Sequence, residues 1–419
     1  MSQELGTNFR LPEIRVASLG TLVALGAGLA VGLAVSGQPW AAGLVTWLSP
    51  LGALWLKGLQ MTILPLVVSL LVLGIVQTSA AARAGAVARA TVGWILGFYL
   101  VSGALAMVVM PLWLDLWPIP RSAAGALANS ASAAAGPVPA LSDFLLSILP
   151  SNIVTAAAGG EMLPCVVFFA IFAMAMGRLP DAPRAALLGV FEGLAGVMMV
   201  MIGWVLQLAP IGVFALALSL AVKTGAGAVG ALAHYIALVA GMGGLVLLAA
   251  PVVAVVVARL SLGAYLRAMV PAFAVAASTQ SSLATLPTML AACSRLGLRS
   301  STAEFSLPLS VALFRATGPA MNIAVVIYVA HLTGVPLSLS AMAAGVLVAA
   351  LAELGTPSLP GAISFVLSIG PVALAMGVPV GPLALLVAVE MLPDLMRTLG
   401  NVAMDVAVTA SVDRRAAAA

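Results

Sequence analysis

Near its end the chain reads P-D-L-M-R-T-L-G-N-V-A-M-D, Pro393 to Asp405, with Glu390 one turn earlier. At 100° per residue, Glu390, Asp394, Arg397, Thr398, Asn401 and Asp405 fall within an arc of about 100° on a helix. The rest of the circumference is Leu, Met, Val, Ala and Gly, a lipid-compatible face. A guanidinium pairs bidentately with a carboxylate, and an acid one turn away suits an ammonium. A ligand that wants both is a small acidic zwitterion. Asp394 and Arg397, three apart, could also pair with each other, but the full stripe carries more polar groups than such a pair needs. Pro393 has no N–H, so the carbonyl of Val389 is expected to lose its helical donor and become an acceptor beside the stripe.

That stripe lies in a chain of 419 residues that is 63% hydrophobic and only 7% charged, with a mean hydropathy of +1.20. Soluble domains carry about 25% charged residues, so the composition is that of a multi-pass membrane protein. An ionisable side chain at the bilayer centre costs about 2.5–3.5 kcal/mol. The stripe must therefore face protein, water or a ligand. The net charge of +4 is spread over many loops and forms no patch, which excludes a nucleic-acid partner. Cys165 and Cys293 sit in apolar runs and define neither a disulfide framework nor a metal spacing. The polar N-terminus is unlike a signal peptide, and the apolar run after it is long enough to remain as a helix.

Apolar runs long enough to cross a bilayer begin near Ala17, Ala41, Ala90, Phe144, Ala185, Ala226, Phe305 and Pro382. The expected fold is an all-α polytopic membrane protein with eight transmembrane helices plus two re-entrant helical hairpins. The hairpins are expected at about 265–294 and 338–370. Their breaks are S-T-Q-S-S-L-A-T-L-P (Ser278–Pro287) and G-T-P-S-L-P-G-A-I-S (Gly355–Ser364), between arms of about 10–14 residues. Non-helical backbone at that depth must be buried or line a cavity. The order broken segment, full span, repeated from opposite sides, is the signature of inverted repeats with a ligand site between them. Ser281, Ser282 and Thr285 from the first tip, and Gly355, Thr356, Gly361 and amides freed by Pro357 and Pro360 from the second, would complete a midplane pocket.

With the N-terminus inside, twelve of the fourteen basic loop residues fall on the cytoplasmic side; Arg121 and Lys223 fall outside, and Lys57, Arg315 and Arg397 lie within spans. This follows the positive-inside rule and places both termini in the cytoplasm. The low-complexity stretch Ser122–Pro139 is an outer loop.

These residues resemble the dicarboxylate/amino acid:cation symporters, which include archaeal aspartate transporters and excitatory glutamate transporters. The last helix is similar to the family's D-x-x-R-T-x-x-N-x-x-x-D, and S-S-L-A-T-L-P to its serine-rich tip. Weaker echoes are A-P-I-G-V-F-A-L (Ala209–Leu216), L-P-C-V-V-F-F-A-I (Leu163–Ile171), M-T-I-L-P-L-V (Met61–Val67) and L-G-T-P-S-L-P-G-A (Leu354–Ala362). The resemblance covers essentially the whole chain. It implies a homotrimer in the inner membrane. Residues 1–258 would be mainly scaffold, with the third and sixth spans shared. Residues 259–415 would be a transport domain moving like an elevator. Arg397 would hold the substrate's side-chain carboxylate and Asp394 its amino group. Thr398, Asn401, Ser281, Ser282, Pro360 and Gly361 would complete the substrate site, and Asp405 would ligate sodium. An acid at position 394 leans toward aspartate or glutamate over a C4-dicarboxylate.

The family's N-M-D-G-T cation motif is absent: counted from S-L-P-L (Ser306–Leu309), the corresponding residues are F-R-A-T-G (Phe314–Gly318). Glu353 stands where a small polar residue is usual, Glu390 where an Asp is usual, and Tyr99 and Ser102 keep part of another cation site. Hard cations need several oxygen ligands, so this span is a poor sodium site. Two readings of Arg315 stand side by side. In one it supplies a fixed charge in place of sodium, with protons carried by Glu353, Glu390 or Asp405, since burial disfavours a charged carboxylate. In the other it pairs structurally with one of these acids. His234 and His331 are expected to be interfacial, and Lys57 to snorkel. No G-x-S-x-G, H-E-x-x-H or paired-Asp motif points to an enzyme. An anion channel is the remaining rival class. No cofactor is expected beyond Na+ or H+ as coupling ion.

Overall fold

The computed structural model describes residues 18–83, 85–119, 146, 148–224, 227–355 and 361–418, and among them every regular element is helical. Helices α1 (Ser18–Val35), α2 (Ala41–Arg83) and α3 (Ala86–Leu116) open the chain. The 43 residues of α2 extend ~65 Å at 1.5 Å per residue, well beyond the bilayer core. The fourth expected span begins partly outside the described residues, as does the whole stretch Ser122–Pro139. Its described part comprises α4 (Ile153–Gly159) and α5 (Met162–Met176). Asn152 caps α4 through its side chain, and left-handed Gly160 separates the two. The span expected from Ala185 is delivered as two helices, α6 (Asp181–Gln207) and α7 (Ala209–Thr224), and α8 (Gly227–Val256) comes next. Helix α7 packs along α1 and α2, while α6 packs on α2.

The first hairpin is α9 (Leu262–Thr279) and α10 (Ser282–Arg295). Its first arm, at 18 residues, is longer than expected, its second has 14, and its break is far narrower. Only Gln280 and Ser281 leave the helices: Gln280 turns the chain in the left-handed region at φ 49°, and Ser281 caps α10 by accepting from the Ala284 N–H. Residues 278–279 and 282–287, expected to belong to the break, are helical because these two residues suffice for the reversal. The second hairpin is α13 (Leu339–Gly355) and α14 (Gly361–Ala375); its arms also exceed the expected length, and Thr356–Pro360 lie outside the described residues.

Each hairpin is followed by an interrupted helix. After the first come α11 (Ser300–Leu313) and α12 (Gly318–Thr333), parted at Phe314–Thr317. After the second come a single turn α15 (Leu383–Leu386), a 3-10 turn over Val387–Val389, and α16 (Met391–Ala418). Pro393 therefore occupies the first turn of α16, where its missing N–H is tolerated. Val389, whose carbonyl is expected to lose a helical donor, closes the 3-10 turn that precedes this helix. Helix α16 packs against α8, α9, α10, α11 and α3, and every residue from Gly400 to Asp413 is buried. Over that stretch the lipid-compatible face is covered by protein, whereas Leu392 near the helix start is exposed. Its small residues let neighbours close around it: a side chain at Gly400 would run into Thr317, and Tyr265 reaches from α9 to donate to the Ala403 carbonyl (2.7 Å). Helix α12 is likewise buried at every position from Gly318 to Ala330.

By length and composition, six helical segments among the described residues can cross a membrane: Ala41–Ser79, α3, α6, Gly230–Val256, α9 and Ser300–Thr333 across its break. The molecule is an all-helical, multi-pass membrane protein.

Candidate functional site

Breaking α11–α12 inside the protein exposes backbone groups that need partners. They come from two directions. The Tyr99 hydroxyl on α3 donates to the Leu313 carbonyl (2.6 Å) and accepts from the Arg315 N–H (2.8 Å). Across the break, Asn401 Oδ1 on α16 accepts from the Thr317 N–H (2.9 Å) and hydroxyl (2.8 Å). The side-chain oxygen of Asn401, a residue expected to bond substrate, thus fixes the break. Tyr99 is a backbone clamp at the same place. Ser102 donates to the Tyr99 carbonyl (3.3 Å) within its own helix.

Around this break lies a buried ionic network. Arg397 places Nη2 3.0 Å from Glu390 Oε1 and Nε 3.6 Å from Asp394 Oδ1. Its Nη1 donates to Asn322 Oδ1 on α12 (3.1 Å). The Asn322 amide then donates to Glu353 Oε1 on α13 (2.7 Å). Glu353 Oε2 lies 3.9 Å from Arg315 Nε. All of these side chains are buried. The chain Glu390–Arg397–Asn322–Glu353–Arg315 thus joins α16, the broken span and the second hairpin. Bonding within the stripe is real, since Arg397 does meet Asp394, but it is only part of a larger set. Glu353 also rests against the N-terminal end of α12, where helix dipoles favour negative charge.

Other expected residues lie apart from this chain of contacts. Thr398 donates to the Asp394 carbonyl inside α16 (3.0 Å). Ser281 is committed to its cap, and Ser282 is buried at the start of α10. The first tip reaches α16 through Gln280, whose amide donates to the Met391 carbonyl (3.3 Å). Pro360 lies outside the described residues; Gly361 opens α14. Asp405 is fully buried, and among the described residues neither of its carboxylate oxygens has a hydrogen-bond partner. Those two orphaned oxygens fit a proton or one monovalent cation. The break itself does not fit a sodium ion, because a guanidinium and its carboxylate occupy it. Sequence reasoning assigned no substrate-site role to Asn322, Thr317 or Gln280. Their signal was only a polar side chain inside an apolar run or beside the serine tip.

His234, expected near the membrane interface, is shielded by protein. It is buried on α8 between the Tyr328 hydroxyl and the Trp117 carbonyl. His331 is exposed at the end of α12, and Lys57 is exposed on α2.

Two hairpins, two interrupted helices and a buried network of opposite charges define a secondary carrier of the membrane. Residues 18–415 match the model of the sodium:dicarboxylate symporter family, and the chain belongs to that family of transporters. It is 29% identical to the proton/glutamate-aspartate symporter of Escherichia coli (strain K12), over 85% of this chain and 83% of the relative. It is 25% identical to the proton/sodium-glutamate symport protein of Bacillus subtilis (strain 168), over 89% and 86%. With C4-dicarboxylate transport protein 2 of Ralstonia nicotianae it shares 24%, over 91% and 84%.

Proposed function

We propose that the protein is a symporter of acidic amino acids, aspartate or glutamate, with Arg397 as the residue that grips the substrate's side-chain carboxylate. The observation that carries this reading is the position of Arg397: a buried guanidinium held between two carboxylates and an amide, at the junction of the last helix, the broken span and the second hairpin. A dicarboxylate arriving there exchanges one anionic partner for another, so the guanidinium is never left bare. Asp394, beside it, is the acid for the amino group. Ser281, Ser282, Thr398, Gly361 and Pro360 complete the site, and Asn401 holds its floor through Thr317. Residues 259–415 are the moving body, assisted by α3 and α8, which pack against it; the assembly is a homotrimer in the inner membrane with both termini in the cytoplasm.

Coupling is by protons without sodium. Two cationic side chains, Arg315 and Arg397, share the buried region with four acids: Glu353, Glu390, Asp394 and Asp405. The excess of carboxylates calls for protons or small cations, and Arg315 already fills the place of one cation. A C4-dicarboxylate substrate is the second reading, favoured by the nearness of Asp394 to Arg397, which leaves it less available to an ammonium.

The test is uptake of labelled aspartate, glutamate, succinate and neutral amino acids into proteoliposomes, with and without sodium. Aspartate or glutamate uptake that tracks a pH gradient and ignores sodium supports the proposal. Steep sodium dependence refutes the coupling, succinate preference refutes the substrate, and absence of counterflow refutes a carrier in favour of a channel.

A further inference from the structure

The buried His234 lies outside the Arg397 network, and its hydrogen bonds can be counted. Nε2 is 2.9 Å from the Trp117 carbonyl, which can only accept, so Nε2 carries a proton. Nδ1 is 3.2 Å from the Tyr328 hydroxyl. That hydroxyl is in turn 3.0 Å from the Ala231 carbonyl, again only an acceptor. These three contacts need three protons. A neutral imidazole and a tyrosine bring two. If Tyr328 gives its proton to Nδ1, two oxygens face each other at Ala231; if it gives it to Ala231, Nδ1 meets an oxygen lone pair. One added proton, on Nδ1, satisfies all three: Nδ1 donates to Tyr328, Tyr328 to Ala231 and Nε2 to Trp117.

We propose that His234 and Tyr328 form a proton-binding site, one tyrosine removed from the Arg397 network. That tyrosine is Tyr235. Its ring lies edge-on to Tyr328, with centroids 5.3 Å apart. Its buried hydroxyl has no hydrogen-bond partner among the described residues, and it interacts electrostatically with Glu390 and Arg397. The elements packed on α8 carry Arg89, Tyr99 and Asp115 on α3, Lys223 on α7, Tyr265 and Arg267 on α9, Tyr328 and His331 on α12, and Asp394, Arg397, Asp405, Asp413, Arg414 and Arg415 on α16, with Glu390 just before it; α8 itself carries Tyr235, and of all these Tyr328 is the hydrogen-bond partner of His234. A proton taken up at His234 adds one positive charge to the helix that also carries Tyr235. Substrate handling then depends on pH through a group other than the carboxylates.

The chain has two histidines, which makes the test direct. The full-length protein is labelled with 15N-histidine in lipid nanodiscs, and His331→Gln leaves His234 as the single imidazole. This readout does not depend on the substrate or on transport. The expected result is that both ring nitrogens of His234 enter the protonated range together as pH falls, and that Tyr328→Phe, which removes the acceptor for the second ring proton, displaces this transition toward lower pH. His234→Gln is then expected to remove one component of the pH dependence of counterflow. A ring that stays a neutral Nε2–H tautomer at every pH at which the protein is folded overturns the proposal, as does a transition that Tyr328→Phe leaves in place.

Discussion

Gly318 and Glu353 share one space: a side chain at position 318 would overlap the Glu353 carboxylate. The first residue of α12 is glycine because an acid from the second hairpin lies where its Cβ would be. Glu353 cannot swing aside without losing Asn322 and Arg315. Gly318→Ala is therefore expected to destabilise the folded protein by about 1–3 kcal/mol, the usual cost of overpacking. It should also depress uptake, as read by thermal unfolding in detergent beside transport assays. A variant as stable and active as the parent would mean that Glu353 moves freely.

Arg397 acts through the shape of its fork as well as through its charge. Arg397→Lys keeps the charge and loses the planar pair of donors. The expected loss is about 1.5–3 kcal/mol, roughly 10- to 100-fold in aspartate affinity, measured by calorimetry or by concentration dependence of uptake. Asp394→Asn should weaken aspartate much more than succinate, because only the amino group needs that acid.

The Arg315–Glu353 pair is suited to a double-mutant cycle. Removing one partner of a buried pair leaves an uncompensated charge at a cost of about 3–5 kcal/mol. Arg315→Met and Glu353→Gln are each expected to destabilise strongly, and the double variant less than their sum. If Arg315 stands in for a cation, Arg315→Met becomes sodium-responsive in unfolding or uptake. If the pair is only structural, the cycle shows coupling and sodium remains without effect.

Asn401 and Thr317 give a graded series. Asn401→Ala orphans the Thr317 backbone N–H at the break, at about 1–3 kcal/mol for a buried group left unpaired, while the Thr317 hydroxyl keeps the Arg397 carbonyl (3.2 Å). Thr317→Val keeps the N–H bond to Asn401 and should cost less. Equal losses of thermal stability in the two variants would show that the N–H bond contributes little.

Much of this architecture is legible in the sequence because the bilayer is a strict solvent. The stripe from Glu390 to Asp405 stands out since polar residues are scarce around it, and the hairpins stand out since their apolar runs are interrupted. What escapes is set by neighbours. Nothing local to Asn322 says that its amide will sit between Arg397 and Glu353. His234 reads as a residue near a span end, yet α3 and α12 enclose it. Pro393 reads as a residue that frees a carbonyl within a helix, but the 3-10 turn over Val387–Val389 makes its position a helix start. The hairpin arms read short because serine and threonine look like break residues, whereas Gln280 and the Ser281 cap turn the chain within two residues.

Helix α16 is absent from the six segments apolar enough to cross a membrane on their own, and from Gly400 to Asp413 it is enclosed by protein. During synthesis it emerges after α3 and α8–α11, the helices that pack around it. A segment with this many ionisable groups has little tendency to leave the translocation channel for lipid unaided. It must be received by partners already in place, so the ionisable residues of α16 also constrain the order in which the molecule can be assembled.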